Sequence, residues 1–140
     1  VFFTNYESRK GKEISENPKV ALVFYWKELE RQVRIEGRVR KISAAESDNY
    51  FSVRPRESQI GAWSSPQSKV IENAAFLQEN VKKYAHQFEG GEVSRPGFWG
   101  GFLVAPYQIE FWQGRPGRLH DRLLYSFREN KEWRIERLAP

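Results

Sequence analysis

Apolar and polar positions change period several times along the chain, and each change marks an element. Val1-Phe2-Phe3-Thr4 opens as a short strand-like run. Val20-Ala21-Leu22-Val23-Phe24-Tyr25-Trp26 is continuously apolar and rich in β-branched and aromatic residues. That is the pattern of a strand covered on both faces, so this segment is expected to be central in its sheet. After a short turn, Val33, Ile35, Gly37 and Val39 alternate with Arg34, Glu36, Arg38 and Arg40. A period of two predicts a half-buried strand whose polar side carries three arginines. The last third predicts strands over 102–112, 123–128 and 133–138, the final two joined by a turn at Glu129-Asn130-Lys131.

Helices interrupt this β framework. Ser43-Ala44-Ala45-Glu46 has the form of a capping box, and the helix it opens should stop near Arg54 because Pro55 follows. Leu77, Val81, Tyr84 and Phe88 share a helical face that Gly90-Gly91 ends. A shorter helix is expected over 9–16, closed by Asn17-Pro18. Strands with inserted helices, without strict βαβ alternation, predict a mainly β (α+β) fold, an antiparallel barrel with peripheral helices. With 140 residues and no linker-like stretch, the expectation is one domain, 1–140.

Composition narrows the chemistry. The absence of cysteine excludes disulfides, thiolate metal sites and thiol nucleophiles, and makes a cytoplasmic setting the favoured one. His86 and His120 are the only histidines, which leaves no cluster for zinc or a histidine-based triad, so no metal is expected. His86 falls on a predicted helix as a surface residue. The net charge of +5 favours acidic partners, phosphorylated small molecules among them.

Three basic constellations are candidates for anion binding. Arg118-Leu119-His120-Asp121-Arg122, after Gly114, Pro116 and Gly117, displays two guanidiniums and an imidazole; it reads equally as an anion site or as a charged surface turn. Tyr50 and Arg54, four apart, share a helix face beside Arg56 and Ser58. Arg9-Lys10, next to Ser8, stands at a helix start, where free N–H groups favour phosphate.

Those segments, taken with Asn5-Tyr6-Glu7-Ser8-Arg9-Lys10-Gly11-Lys12, Arg54-Pro55-Arg56-Glu57-Ser58-Gln59-Ile60-Gly61-Ala62, Phe98-Trp99-Gly100-Gly101, Ile109-Glu110-Phe111-Trp112-Gln113-Gly114 and Glu136-Arg137-Leu138-Ala139-Pro140, resemble the pyridoxine/pyridoxamine 5′-phosphate oxidases from end to end. The resemblance implies an FMN-binding split β-barrel, homodimeric with FMN at the subunit interface. It implies oxidation of pyridoxine or pyridoxamine 5′-phosphate to pyridoxal 5′-phosphate, with O2 reduced to hydrogen peroxide. For the cofactor it implies Phe3, Thr4, Arg9, Lys10, Gln32, Gln67, Ser68, Trp112 and Arg122. For the substrate it implies Tyr50, Arg54 and Ser58 at the phosphate, with Arg118, Leu119 and His120 at the ring. Arg118 and His120 are the expected catalytic residues.

The family also has an earlier strand ending in a run like Arg-x-Val-Leu-Leu-Lys, and this chain begins after it. The expectation is therefore an N-terminally truncated piece. Three alternatives stand beside the main one: a related split-barrel oxidase for a flavin or phenazine-type substrate, a non-catalytic binder of FMN or pyridoxal phosphate, and a nucleic-acid module built on the arginines and aromatics.

Overall fold

The computed structural model describes all residues, Val1–Pro140. In chain order the elements are β1 (Phe2–Asn5), α1 (Arg9–Glu16), β2 (Lys19–Trp26), β3 (Arg31–Lys41), α2 (Ala44–Ser52), α3 (Arg56–Ser64), α4 (Ala74–Gln87), β4 (Trp99–Gln113), β5 (Asp121–Phe127) and β6 (Trp133–Arg137). The sheet runs in the order β2-β3-β4-β5-β6, with β1 paired to β4. This is the mainly β, helix-decorated arrangement that the patterning predicts.

The chain forms two compact units. One comprises Val1–Asn17 with Arg40–Leu103, the other Pro18–Val39 with Val104–Pro140. In the first, β1 pairs antiparallel with the start of β4, Phe2 opposite Phe102 and Asn5 opposite Trp99. Its core gathers Phe51, Ile60, Val93 and Trp99, with Phe3, Trp63, Tyr84, Phe88 and Phe98 packed around them. Ring-to-ring contacts dominate, which explains the use made of so many aromatics.

Helix ends follow the sequence signals. The Ser43 hydroxyl accepts from the Glu46 N–H while the Glu46 carboxylate accepts from the Ser43 N–H, so the capping box at α2 is complete. The Ser43 hydroxyl also donates to the Glu46 carboxylate, and that bond, with the one from the Ser43 N–H, holds the Glu46 carboxyl below its ordinary pKa. Ser8 caps α1 by accepting from the Gly11 N–H, and Asn73 caps α4 by accepting from Phe76. One helix, α3, is not anticipated by the pattern. Pro55 ends the preceding segment and also stands at the N-cap of α3, where its missing N–H costs nothing.

In the second unit β2 pairs antiparallel with β3, Lys19 opposite Arg38 and Trp26 opposite Arg31. β5 pairs with β4 on one side and with β6 on the other. The alternation in β3 is as expected, with Gly37 and Val39 buried and Arg34, Arg38 and Arg40 exposed.

The expectation for 20–26 is corrected. β2 lies at the sheet edge, and Val23, Phe24, Tyr25 and Trp26 are exposed. An unbroken apolar run signals that both faces are to be covered, but it does not say by what. Phe127, Trp133 and Ile135 are exposed on β5 and β6 as well.

Phe51 is 1% exposed at the centre of the first core. Phe51→Ala should lower unfolding free energy by about 3–5 kcal/mol, read as a shifted denaturation midpoint with unchanged slope.

Candidate active site

Unit by unit, the anticipated residues collect around separate cavities. In the first unit the end of α2 and the start of α3 carry Arg54 and Ser58 onto a cavity of about 360 Å³, which Asn5, Gly61, Ala62, Ser65, Gln67 and Trp99 complete. The Arg54 guanidinium carbon sits 4.6 Å from the centre of the Trp99 ring and 5.5 Å from that of Phe51. Its Nη1 is buried and donates to nothing. Burial lowers the pKa of Arg54, an effect that nearby Tyr50 opposes. A desolvated cation with an unspent donor is a costly arrangement that an anion relieves.

Tyr50 does not line that cavity; its ring stacks on Phe3 at 3.8 Å, and Phe3 in turn stacks on Trp99 at 5.4 Å. Next along β1, the Thr4 hydroxyl donates to Gln67 Oε1, which also accepts from the Asn5 N–H. Those two bonds occupy the Gln67 carbonyl and leave its Nε2 donors unspent.

Gln67 and Ser68 also border a second cavity of about 300 Å³ with Glu7, Arg9, Lys12, Glu13, Glu16 and Lys69. Arg9 pairs there with Glu13 at 2.8 Å, which raises the pKa of the Arg9 guanidinium. Lys10 is turned to the Phe2 ring, 5.6 Å from its centre, and is not among the residues lining this cavity. Ser68 has a φ of 69°, a left-handed conformation in which a serine backbone is strained.

In the second unit Gln32 and Trp112 line a cavity of about 360 Å³ with Trp26, Arg31, Val33, Phe111, Gln113, Arg115, Asp121 and Leu123. Trp112 stands 4.8 Å from the His120 ring. The segment before β5 is a tight turn, Pro116–Arg118, with Gly117 at φ 67° and Arg118 at φ 61°. Two successive left-handed residues reverse the chain sharply, and the first is the glycine that such a turn favours. Arg118 and Leu119 are exposed, with Leu119 at 73%.

Behind that turn, Asp121 accepts from Arg115 Nε at 2.8 Å and from Arg137 Nη1 at 2.7 Å. The Arg115 N–H donates to His120 Nδ1 at 3.2 Å, which leaves Nε2 of a neutral His120 as the proton-bearing atom. Arg122 is engaged within its own unit, its Nε donating to Glu110 Oε1 at 2.7 Å and its Nη1 to the Ala139 carbonyl. That pairing raises the Arg122 pKa.

Spacing along the chain does not announce Trp99, Asn5, Asp121 or Arg137 as site residues. Trp99 and Asn5 join Arg54 only through the pairing of β1 with β4. Asp121 does lie inside an arginine-rich string, and a lone carboxylate among guanidiniums is the signal that could have marked it.

Comparison with known proteins decides the family. Residues 1–88 match the model described as pyridoxamine 5′-phosphate oxidase, and 99–140 match the pyridoxine 5′-phosphate oxidase C-terminal dimerisation region. The chain belongs to the pyridoxamine 5′-phosphate oxidase family.

Over 140 residues it is 56% identical to the pyridoxine/pyridoxamine 5′-phosphate oxidase of Trichormus variabilis, and over 142 it is 58% identical to that of Burkholderia thailandensis. All of the chain is matched, against 65% and 66% of those relatives, so it spans about two thirds of their length. Among solved structures, PhzG from Burkholderia lata in complex with tetrahydrophenazine-1-carboxylic acid superposes with a TM-score of 0.91 at 28% identity, covering 99% of this chain and 67% of that one. A pyridoxamine 5′-phosphate oxidase-related, FMN binding protein from Nostoc punctiforme has a TM-score of 0.75 at 17% identity, covering 99% and 72%, a likeness of fold alone. Together these matches bear out the split-barrel fold class that the family resemblance implies.

Because its two arginine bonds hold the Asp121 carboxyl below its ordinary pKa, they should persist while an unrestrained aspartate protonates near about pH 3.9 and break only in stronger acid. The sign follows from a depressed folded pKa: the contribution is present above the unfolded value and is lost as pH falls through the folded one. The NMR shift of the Arg115 Nε–H group, which donates to Asp121, should titrate only below that range in the native chain, and should show no such titration in Asp121→Asn.

Proposed function

We propose that the chain is the FMN-binding split-barrel domain of an enzyme that oxidises pyridoxamine or pyridoxine 5′-phosphate to pyridoxal 5′-phosphate. The observation that carries this reading is the buried, unpartnered Arg54 Nη1 beside Ser58. It is a receptor for a compact anion, and a substrate phosphate fills it with charge-assisted hydrogen bonds.

The residues toward the cofactor fit as well. Gln67, its carbonyl held by Thr4 and Asn5, keeps its Nε2 donors beside Ser68; Arg9 on the same cavity and Lys10, exposed at the Phe2 ring, are the cations for a phosphate end. Gln32 and Trp112 border an apolar-walled cavity suited to a flat ring. FMN, when bound, supplies hydride acceptance at N5 and passes both electrons to O2, giving hydrogen peroxide.

This chain's residues do the positioning. Arg54 and Ser58 anchor the substrate phosphate, with Tyr50 assigned to the same group from the adjoining Phe3 stack, so that binding energy remote from the reacting carbon holds C4′ in place. Arg118, on its exposed turn, packs over the substrate ring. His120 donates from Nε2 to a ring substituent and needs no role as a base.

Two further features support a homodimer with the cofactor at the subunit interface. The match at 99–140 is to a dimerisation region, and β2 carries an exposed apolar edge that a second copy would cover. A cytoplasmic setting belongs to the same reading; no helix is long and apolar enough to cross a membrane.

Purified protein should show flavin absorption and release peroxide when given pyridoxamine 5′-phosphate and O2. In Arg54→Leu the KM should rise about ten- to a hundredfold with flavin content unchanged, the loss of hydrogen bonds to a charged group. Bound flavin without peroxide would make the chain a non-catalytic binder, and absence of flavin would remove the cofactor site.

Arg118→Leu should slow single-turnover flavin reduction strongly, and a near-normal rate would take Arg118 out of the site. His120→Asn should retain reduction; if reduction vanished while substrate still bound, His120 would be the base.

A further inference from the structure

Arg54 is supported in an unusual way for a half-buried cation. No carboxylate pairs with it, and its guanidinium instead lies over the faces of Trp99 and Phe51. The distinction matters for anion binding. A carboxylate would neutralise the charge and take up N–H donors, whereas a ring face attracts the cation and leaves every N–H for a ligand. Trp99 gives the closer of the two faces, at 4.6 Å.

The indole is itself fixed. Trp99 is 7% exposed, its main-chain N–H donates to the Pro96 carbonyl, and its main-chain carbonyl accepts from Arg95 Nη1. Phe3 stacks on it with 12° between the ring planes, and Tyr50 stacks on Phe3 with 10°. Tyr50 and Trp99 are consequently within 4° of parallel although 6.3 Å apart. One layered aromatic unit thus joins the two side chains assigned to the substrate phosphate.

We propose that Trp99 is a positioning residue for the substrate phosphate: its ring face holds the Arg54 guanidinium with its donors free, and the stack through Phe3 keeps Tyr50 in register with it. The proposal rests on the reading of the Arg54 cavity as the substrate-phosphate site. Nothing in it assigns Trp99 a contact with the reacting carbon. The loss should therefore fall on binding of the phosphate and not on the chemical step.

The test compares Trp99→Leu and Trp99→Phe with the native protein, using pyridoxamine 5′-phosphate and unphosphorylated pyridoxamine as substrates. Trp99→Leu should raise KM for the phosphorylated substrate about tenfold, the scale of a desolvated cation–ring contact. Its kcat should be nearly unchanged, and kcat/KM for pyridoxamine should not move. Trp99→Phe, which keeps a ring face, should recover most of the KM. An unchanged KM in Trp99→Leu, or an equal fall in kcat/KM for both substrates, overturns the proposal, since the second result is that of a purely structural residue.

If Trp99→Leu does not fold, Trp99→Phe and Trp99→Tyr carry the comparison, and a fall shared by both substrates again overturns it. A titration with inorganic phosphate, followed by phosphorus NMR line width, separates the proposal from the reading beneath it. Phosphate binding that is lost in Arg54→Leu and weakened about tenfold in Trp99→Leu supports the role of Trp99 even in a protein that turns over no pyridoxamine phosphate. Equal phosphate affinity in Trp99→Leu and the native protein, or none in either, overturns it.

Discussion

The candidate site of the first unit depends on one close approach, the pairing of β1 with the beginning of β4 at Gly100 and Gly101. A Cβ at Gly100 would overlap the Tyr6 hydroxyl, and one at Gly101 would overlap the Ile42 side chain. With no side chain at either position Tyr6 and Ile42 pack directly on β4, beside the β1 pairing that sets Asn5 opposite Trp99. From that register follow the Phe3 stack on Trp99, the delivery of Thr4 and Asn5 to Gln67, and the ring face under Arg54. A short four-residue strand thereby serves both the proposed cofactor residues and the proposed phosphate receptor.

Arg54 stands apart from the paired charges of both units. In the second, charged groups satisfy one another: Arg122 with Glu110, Arg34 with Glu110 and Glu36, Asp121 with Arg115 and Arg137. Such pairs are partly exposed and contribute little net stability, but they fix directions, and the Asp121 pairs brace the turn that presents Arg118. In the first unit Arg9 pairs with Glu13 and Arg95 with Asp48, but Arg54 is left with an unspent buried donor. Unsatisfied buried polar groups are rare in folded proteins, and they concentrate where a ligand completes the set. That contrast is the physical reason for placing the phosphate at Arg54 and for not assigning it to the arginine-rich string as a whole.

Much of the fold was legible in the sequence, for identifiable reasons. The capping box at Ser43, the Asn17-Pro18 stop and the alternation through β3 are local signals, and each acts locally in the structure. The position of β2 was not legible, because an apolar run records the need for a cover while its supplier is a matter of tertiary or subunit structure. Nor was α3, since Arg54-Pro55-Arg56 reads as a break and the same proline begins the next helix. For the site, residue type marked Arg54 and Ser58 as anion-binding candidates. It could not show that Arg54 is unpaired, that Arg122 is committed to Glu110, or that Trp99 lies beneath the guanidinium, because all three are products of strand pairing across many residues.

The proposed function requires a phosphorylated pyridine substrate to be held against a bound flavin so that hydride can transfer. Anaerobic addition of pyridoxamine 5′-phosphate to the flavin-loaded protein, with the flavin absorbance followed in time, tests it most directly. The oxidised flavin band should bleach and return on admitting O2, with stoichiometric pyridoxal 5′-phosphate formed. A band that stays fully oxidised at saturating substrate would contradict it.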